Sequence, residues 1–121
     1  MKPSREERFA VDFPVNLSWQ TGNAVRRTTA RCVELSASGA KLETKDPLQP
    51  GTAVVVLSDH FGRMGTAAVK YCSRNTMKYE VGLCFGVPLE LSDPARRRIL
   101  EGLIRRPAPA EAETEEIFVR R

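Results

Sequence analysis

The segment VELSASGAKLET, residues 33–44, places serine and glycine in the middle of a strand-like pattern. Its apolar side chains could line one buried face, but residues 36–39, Ser-Ala-Ser-Gly, pack poorly between them. Two interpretations are open from the residues alone. The interruption is either a β-bulge or tight turn, or a place where a ligand approaches the backbone closely.

Catalytic and metal chemistry have little support in the rest of the chain. His60 is the single histidine, and no Gly-rich phosphate loop, nucleophile signature or recognisable acidic pair is present. Cys32, Cys72 and Cys84 fall in apparent strands without close pairing, which predicts small buried hydrophobes rather than metal ligands. We therefore predict a protein that is not an enzyme, has no metal and no cofactor, and resides in a reducing, cytoplasmic compartment.

The charge is unevenly spread along the 121 residues. The net charge is +4, but residues 1–106 hold 17 Lys and Arg against 11 Asp and Glu. A basic body favours anionic partners such as nucleotides, nucleic acid or acidic protein faces, although solubility alone also explains this surplus. Residues 107–121 are rich in Ala, Pro and Glu, which predicts a disordered acidic tail.

Hydrophobic periodicity predicts a barrel or sandwich. Apolar residues alternate from Phe9 to Trp19, a strong signal for a half-buried strand. Further strands are predicted at residues 25–35, 40–44, 52–59, 66–74 and 79–86, and the fourth, TAVVVLSD, reads as covered on both faces. Turn residues separate these runs at short intervals, which is typical of antiparallel all-β folds.

The last element changes its period from two to that of a helix. LSDPARRRILEGLIRR offers Ser92 or Asp93 as a cap and Pro94 in the first turn, so we predict a helix over residues 92–106. The run Arg96–Arg98 is interpreted as a solvated outer face of this helix, and a docking surface for an acidic partner is the alternative. No apolar run approaches the roughly 18 residues of a membrane span, and the charged N-terminus is not a secretory signal.

Three features together resemble the PilZ domain family: the arginine pair just before the first strand, ELSASGA on the second strand, and the later strand YEVGLCF. The resemblance covers roughly residues 4–105. It implies an all-β fold, a small antiparallel six-stranded split barrel with a C-terminal α-helix. Within one PilZ-like domain at 1–106, the flexible arginine arm is expected at 1–8, the barrel at 9–88 and the helix at 92–106.

Many PilZ domains bind the bacterial second messenger cyclic di-GMP, so the resemblance implies this ligand. The implied ligand-binding residues are Arg5, Arg8, Glu34, Ser36 and Gly39. An arginine fork suits both the Hoogsteen edge of guanine and the phosphates, while a carboxylate accepts from guanine N–H groups. The glycine lets ligand or arm approach the backbone. The ligand would order the arm and change the surface offered to an unidentified protein partner.

The chain departs from the family pattern at both motifs. Ser4 stands where Arg-x-x-x-Arg requires its first arginine, and Arg5 is one residue too close to Arg8. Glu34 stands where the second motif, Asp/Asn-x-Ser-x-x-Gly, has a shorter side chain. A second hypothesis is therefore a degenerate PilZ domain that binds no nucleotide and acts as a protein-interaction module.

Two further patterns have weaker functional interpretations. Arg27 and Arg31 fit the Arg-x-x-x-Arg spacing but lie within a predicted strand, so we interpret that match as coincidental. A third hypothesis is a basic barrel that binds single-stranded nucleic acid by stacking bases on aromatic side chains. It is disfavoured because most of the aromatic residues, Trp19 included, fall at inward-facing strand positions.

Overall fold

The computed structural model describes residues 6–105, and both Arg5 and the predicted tail at 107–121 lie outside them. Six antiparallel strands form a closed barrel in the order β1-β2-β3-β6-β5-β4, followed by one helix. This confirms the predicted fold class. The elements are β1 (Phe9–Thr21), β2 (Ala24–Leu35), β3 (Gly39–Thr44), β4 (Ala53–Ser58), β5 (Gly62–Asn75), β6 (Lys78–Phe85) and α1 (Pro94–Leu103).

The β1 strand supplies one wall of the core, as its alternation predicts. Val11, Phe13, Val15 and Leu17 are all buried, and the residues between them face outward. Pro14 is tolerated because β1 pairs with β4 only over Asn16–Ser18, which leaves one edge of the strand unpaired at the proline.

The β4 strand differs from its prediction. Val54 and Val56 are buried, but Val55 is half-buried and Leu57 is exposed. The expectation that both faces are covered was wrong, because a closed barrel has one interior and its outer face meets solvent. The apolar run here reflects β propensity as well as burial.

The cysteines divide by the face on which they lie. Cys32 points into the core, and its burial raises the pKa of its thiol to about 12. Cys72 is half-buried, and Cys84 is exposed on the outer face of β6. The prediction of a buried hydrophobe is therefore confirmed for Cys32 and wrong for Cys84.

The helix is shorter at both ends than predicted. Asp93 is the N-cap, and its carboxylate accepts a hydrogen bond from the Arg96 amide at 3.1 Å. The helix ends at Leu103 because Ile104 turns extended and bridges to Val11, and the Arg105 N–H donates to the Ala10 carbonyl at 2.8 Å. Ten residues cannot cross a bilayer, and no other helix occurs between residues 6 and 105.

Candidate functional site

The Ser-Ala-Ser-Gly interruption is the tight turn of the β2–β3 hairpin. Leu35 pairs with Ala40 on either side of it. The Ser36 N–H donates to the Gly39 carbonyl at 2.9 Å, and the Gly39 N–H donates to the Ser36 hydroxyl at 3.2 Å. Ser36 is only 8% exposed. Its hydroxyl therefore closes the turn, which favours the first of the two interpretations.

Gly39 is required by the neighbouring strand. It lies opposite Cys84 in β6, and a methyl group on Gly39 would overlap the carbonyl oxygen of Leu83. The Phe85 N–H also donates to the Ser38 carbonyl at 2.7 Å, so the turn is tied to β6 on both sides of the glycine. The close approach expected at this glycine is made by the backbone of β6.

One β-bulge lies within this hairpin, and another lies where β5 pairs with β6. One places Val33 as an extra residue between Cys32 and Glu34 where β2 pairs with β3. The other places Lys70 as an extra residue of β5, between Val69 and Tyr71, where β5 pairs with β6. Bulges occur often beside functional sites because they redirect side chains. Here the second bulge leaves two successive side chains, Lys70 and Tyr71, on the exposed surface.

A groove of about 200 Å³ lies between these features on the outer wall of the barrel. The arm, the hairpin, β6 and the bulged part of β5 form its sides. Four predicted site residues line it together, Arg8, Glu34, Ser36 and Gly39. Sequence reasoning missed its other polar members, which are Glu6, Ser38, Lys41, Lys70, Tyr71 and Cys84.

The charges in the groove form a chain across four strands. The Glu34 carboxylate lies 3.3 Å from the Lys41 ammonium and 4.0 Å from the Arg8 guanidinium. Lys41 also lies 3.9 Å from the carboxylate of Glu80, which accepts a hydrogen bond from the Tyr71 hydroxyl at 2.9 Å. The Arg8 side chain is 73% exposed, so its ion pair is worth at most about 1 kcal/mol. Arg8 is therefore available to an incoming anion.

The ring of Tyr71 packs against β6 at Gly82. A methyl group on Gly82 would overlap its ring, so the ring occupies the space that any other residue at this position would fill. Desolvation, followed by the hydrogen bond to Glu80 and that residue's negative charge, raises the pKa of Tyr71 to about 12.

Ultraviolet titration should detect this environment. We expect a tyrosinate absorbance step near pH 12 in the protein and its loss in Tyr71→Phe. Because the folded state holds this proton more tightly than an unfolded chain, Tyr71 favours folding below about pH 10, and that contribution is lost between about pH 10 and pH 12. An unchanged titration curve in Tyr71→Phe would contradict the assignment, and Tyr79→Phe is the control.

The arm is attached to both the hairpin and the helix. The Ser38 hydroxyl donates to the Glu6 carboxylate at 2.6 Å, and the Arg97 guanidinium lies 4.0 Å from Glu7 and 5.2 Å from the centre of the Phe9 ring. Arg97 is half-buried, so its assignment to a solvated helix face was wrong. Helical periodicity alone does not show that β1 and the arm pack beside it.

The alternative arginine pair lies elsewhere. Arg27 is exposed on β2, and Arg31 forms an ion pair with Asp12. Neither residue lines the groove. Within residues 6–105, no group of three His, Cys, Asp or Glu side chains is placed to hold a metal ion.

Solved structures share this architecture. The PilZ domain of YcgR from Escherichia coli, solved with c-di-GMP, is similar with a TM-score of 0.53 at 15% identity, covering 95% of this chain and 98% of that one. The larger YcgR complex with c-di-GMP from Escherichia coli gives 0.55 at 20% identity, covering 97% of this chain. The MrkH–c-di-GMP complex of K. pneumonia gives 0.55 at 16% identity, covering 95% of this chain. This chain spans 50% and 54% of the latter two, and such low identities show the fold alone.

No curated protein matches the chain in sequence. The family model described as the PilZ domain matches residues 3–106, which is most of the chain and includes the arm, the barrel and the helix. With the six-stranded barrel and its C-terminal helix already in place, this match shows that the chain belongs to the PilZ domain family.

Proposed function

We propose that this chain is a cytoplasmic bacterial signalling module that binds cyclic di-GMP and relays its presence to a partner protein, without catalysis of its own. The single observation that carries the proposal is the convergence of Arg8, Glu34 and the Ser36–Gly39 turn on one groove. An arginine fork there can bind a guanine edge or a phosphate. Lys41 and Lys70 add cations beside it.

The contacts that Arg8 and Glu34 make without a ligand suggest how a ligand would bind. Arg8 reaches Glu34 only at 4.0 Å and from an exposed position, so a phosphate or a guanine can take its place. Glu34 remains held by Lys41 at 3.3 Å and keeps an acceptor at the groove floor. Arg8 would then exchange an intramolecular partner for the ligand.

The proposed relay to a partner protein depends on the contacts between the arm and α1. Glu7 and Phe9, on either side of Arg8, both contact Arg97 of α1. A ligand that replaces Glu34 as the partner of Arg8 would therefore also act on the contacts between the arm and the helix. We infer that the ligand orders the arm and that the partner protein recognises the surface formed by the ordered arm and α1.

Arg8→Ala tests the ligand site. We expect isothermal titration with cyclic di-GMP to show binding by the unmodified protein and a roughly 10- to 100-fold loss in the variant, since a charge-assisted hydrogen bond contributes about 1.5–3 kcal/mol. Arg27→Ala is the matched control because it removes the same charge outside the groove. An equal loss of affinity in both variants would mean that only net charge matters. That result would contradict the assignment of Arg8 to the ligand site.

One specific observation favours the hypothesis of a degenerate PilZ domain that binds no nucleotide. Lys41 is shared by Glu34 and Glu80, so these three charged groups already have partners without a ligand. If the unmodified protein gives neither heat nor NMR shifts with millimolar cyclic di-GMP, this second function is favoured. The search would then turn to protein partners of the arm and α1.

A further inference from the structure

The N-terminal half of β2 has a free edge. Among residues 6–105, only β1 pairs with residues 24–29, and the pairing of β2 with β3 begins at Ala30. The chain that follows β3 turns away from this edge, because Leu48 is buried and its N–H donates to the Cys72 sulfur in β5 at 3.5 Å. Six residues of β2 therefore have a strand partner on one side only.

This free edge is regular and accessible. The pairing of β2 with β1 shows no bulge over residues 24–32, and residues 24–29 are exposed or half-buried. Thr21 and Ala24 close a two-residue turn and so exchange both of their backbone hydrogen bonds. The N–H groups of alternate residues from Val25 onward therefore point away from β1. Such an edge is a template for another extended segment.

Two cations lie along the free edge. Arg26 and Arg27 are exposed, and neither forms an ion pair within the part of the chain that the structure describes. Arg31, further along β2, is instead paired with Asp12. Successive side chains of a strand point to opposite faces, so a segment against this edge would meet one arginine on each of its faces. The edge therefore suits an extended segment with two adjacent acidic residues.

The sequence after α1 contains a segment of this kind. Residues 114–119 are Thr-Glu-Glu-Ile-Phe-Val. Glu115 and Glu116 are adjacent, so in an extended chain they too fall on opposite faces. The three residues that follow them have high β propensity. Elsewhere between 107 and 121, glutamate occurs only singly, at Glu111 and Glu113.

The distance and the direction also fit. The Arg105 N–H donates to the Ala10 carbonyl, and Ala10 pairs with Glu34, so the chain leaves the barrel beside the C-terminal end of β2. Thr29 lies about 17 Å from Glu34 along β2, and the position of a strand on the free edge is about 10 Å to the side of β1. Residues 106–113 span up to about 26 Å when extended, which exceeds the combined distance of about 20 Å. A segment that runs from this exit along the free edge is antiparallel to β2, as β3 is.

We propose that residues 114–119 add to the free edge of β2 as an antiparallel strand. The two adjacent glutamates then lie beside the two exposed arginines. Backbone hydrogen bonds supply the affinity, and the ion pairs fix the position of the added strand. The pairing covers the edge and so prevents its association with other chains. It is independent of the nucleotide site, which lies at the other end of β2.

Amide hydrogen exchange, followed residue by residue by NMR in the full chain, tests this pairing. We expect the N–H groups on the free edge of residues 24–29 to exchange about tenfold more slowly in the unmodified protein than in the tail variant Glu115→Lys/Glu116→Lys. The matched control, Glu111→Lys/Glu113→Lys, makes the same change of charge outside the segment and should exchange like the unmodified protein. Equal exchange in the unmodified protein and the tail variant overturns the proposal.

Reversing both sets of charges gives a rescue. Arg26→Glu/Arg27→Glu alone should lose the slow exchange, and combining it with the tail variant should restore it, because the ion pairs form again in the opposite sense. Failure of the combined variant to restore slow exchange overturns the pairing of these charges. Slow exchange that disappears on roughly tenfold dilution also overturns the proposal, since a second copy of the chain would then cover the edge.

A further readout needs no variant. Cross-strand nuclear Overhauser effects between residues 114–119 and residues 24–29 are expected in the unmodified protein, because the backbones of paired strands lie about 4.8 Å apart. Their absence overturns the proposal, whether or not the protein binds cyclic di-GMP.

Discussion

Gly39→Ala is expected to destabilise the protein by about 3 kcal/mol, at the upper end of the cost of overpacking. The new methyl group would overlap the Leu83 carbonyl oxygen, a backbone atom of β6 that cannot rotate away. Relief requires β3 and β6 to separate where the hairpin turn is also bonded to Phe85. Chemical denaturation followed by circular dichroism measures the loss.

Gly102→Ala is the matched control for that experiment. Gly102 lies in α1, where an added methyl group would meet nothing within 4 Å beyond its own neighbours in the helix. The substitution should stabilise the helix by about 0.5–1 kcal/mol, because alanine loses less backbone freedom than glycine on folding. A Gly39→Ala protein as stable as the original would show that the hairpin does not need its close contact with β6.

Phe13→Ala is expected to lower the free energy of unfolding by about 4 kcal/mol, a loss typical of truncating a fully buried aromatic side chain. Phe13 is 1% exposed, and its ring packs against Phe61 and His60 at centroid distances of 5.8 and 6.1 Å. Truncation leaves a cavity in the core beside the β4–β5 turn, where Phe61 lies. A small domain has only about 5–15 kcal/mol of stability to lose.

Thermal and urea unfolding would measure this loss, with Val25→Ala as the control. Val25 is 57% exposed at the β1–β2 turn, so its truncation should change stability by less than about 0.5 kcal/mol. Phe13→Leu should fall between the two, because it removes less volume. A change below about 1 kcal/mol in Phe13→Ala would mean that the barrel collapses to fill the cavity.

The elements most predictable from sequence are those that local hydrophobic periodicity defines without contacts to a distant segment of the chain. The alternation from Phe9 to Trp19 predicts β1 closely because each inward residue meets the same barrel interior. The length of α1 was less predictable. Its end depends on Ile104 finding a partner in Val11, at the other end of the chain, and no local signal shows that pairing.

Only part of the candidate groove could be identified from the sequence. The hairpin motif and Arg8 are local in sequence, and the structure brings them to one groove. Lys41, Lys70 and Tyr71 were missed because their positions depend on strand register. A bulge adds one residue without changing composition, so the outward turn of Lys70 and Tyr71 appears only once β5 is aligned with β6.

The bridge between Val11 and Ile104 also determines how the domain joins other sequence. Because Arg105 is hydrogen-bonded to Ala10, the chain enters and leaves the barrel side by side. A module with adjacent ends can be inserted into a loop of a host protein without forcing the two halves of the host apart. The same adjacency makes the barrel a candidate for circular permutation, with a short linker joining the old ends and new ends opened at the exposed Gly22 turn.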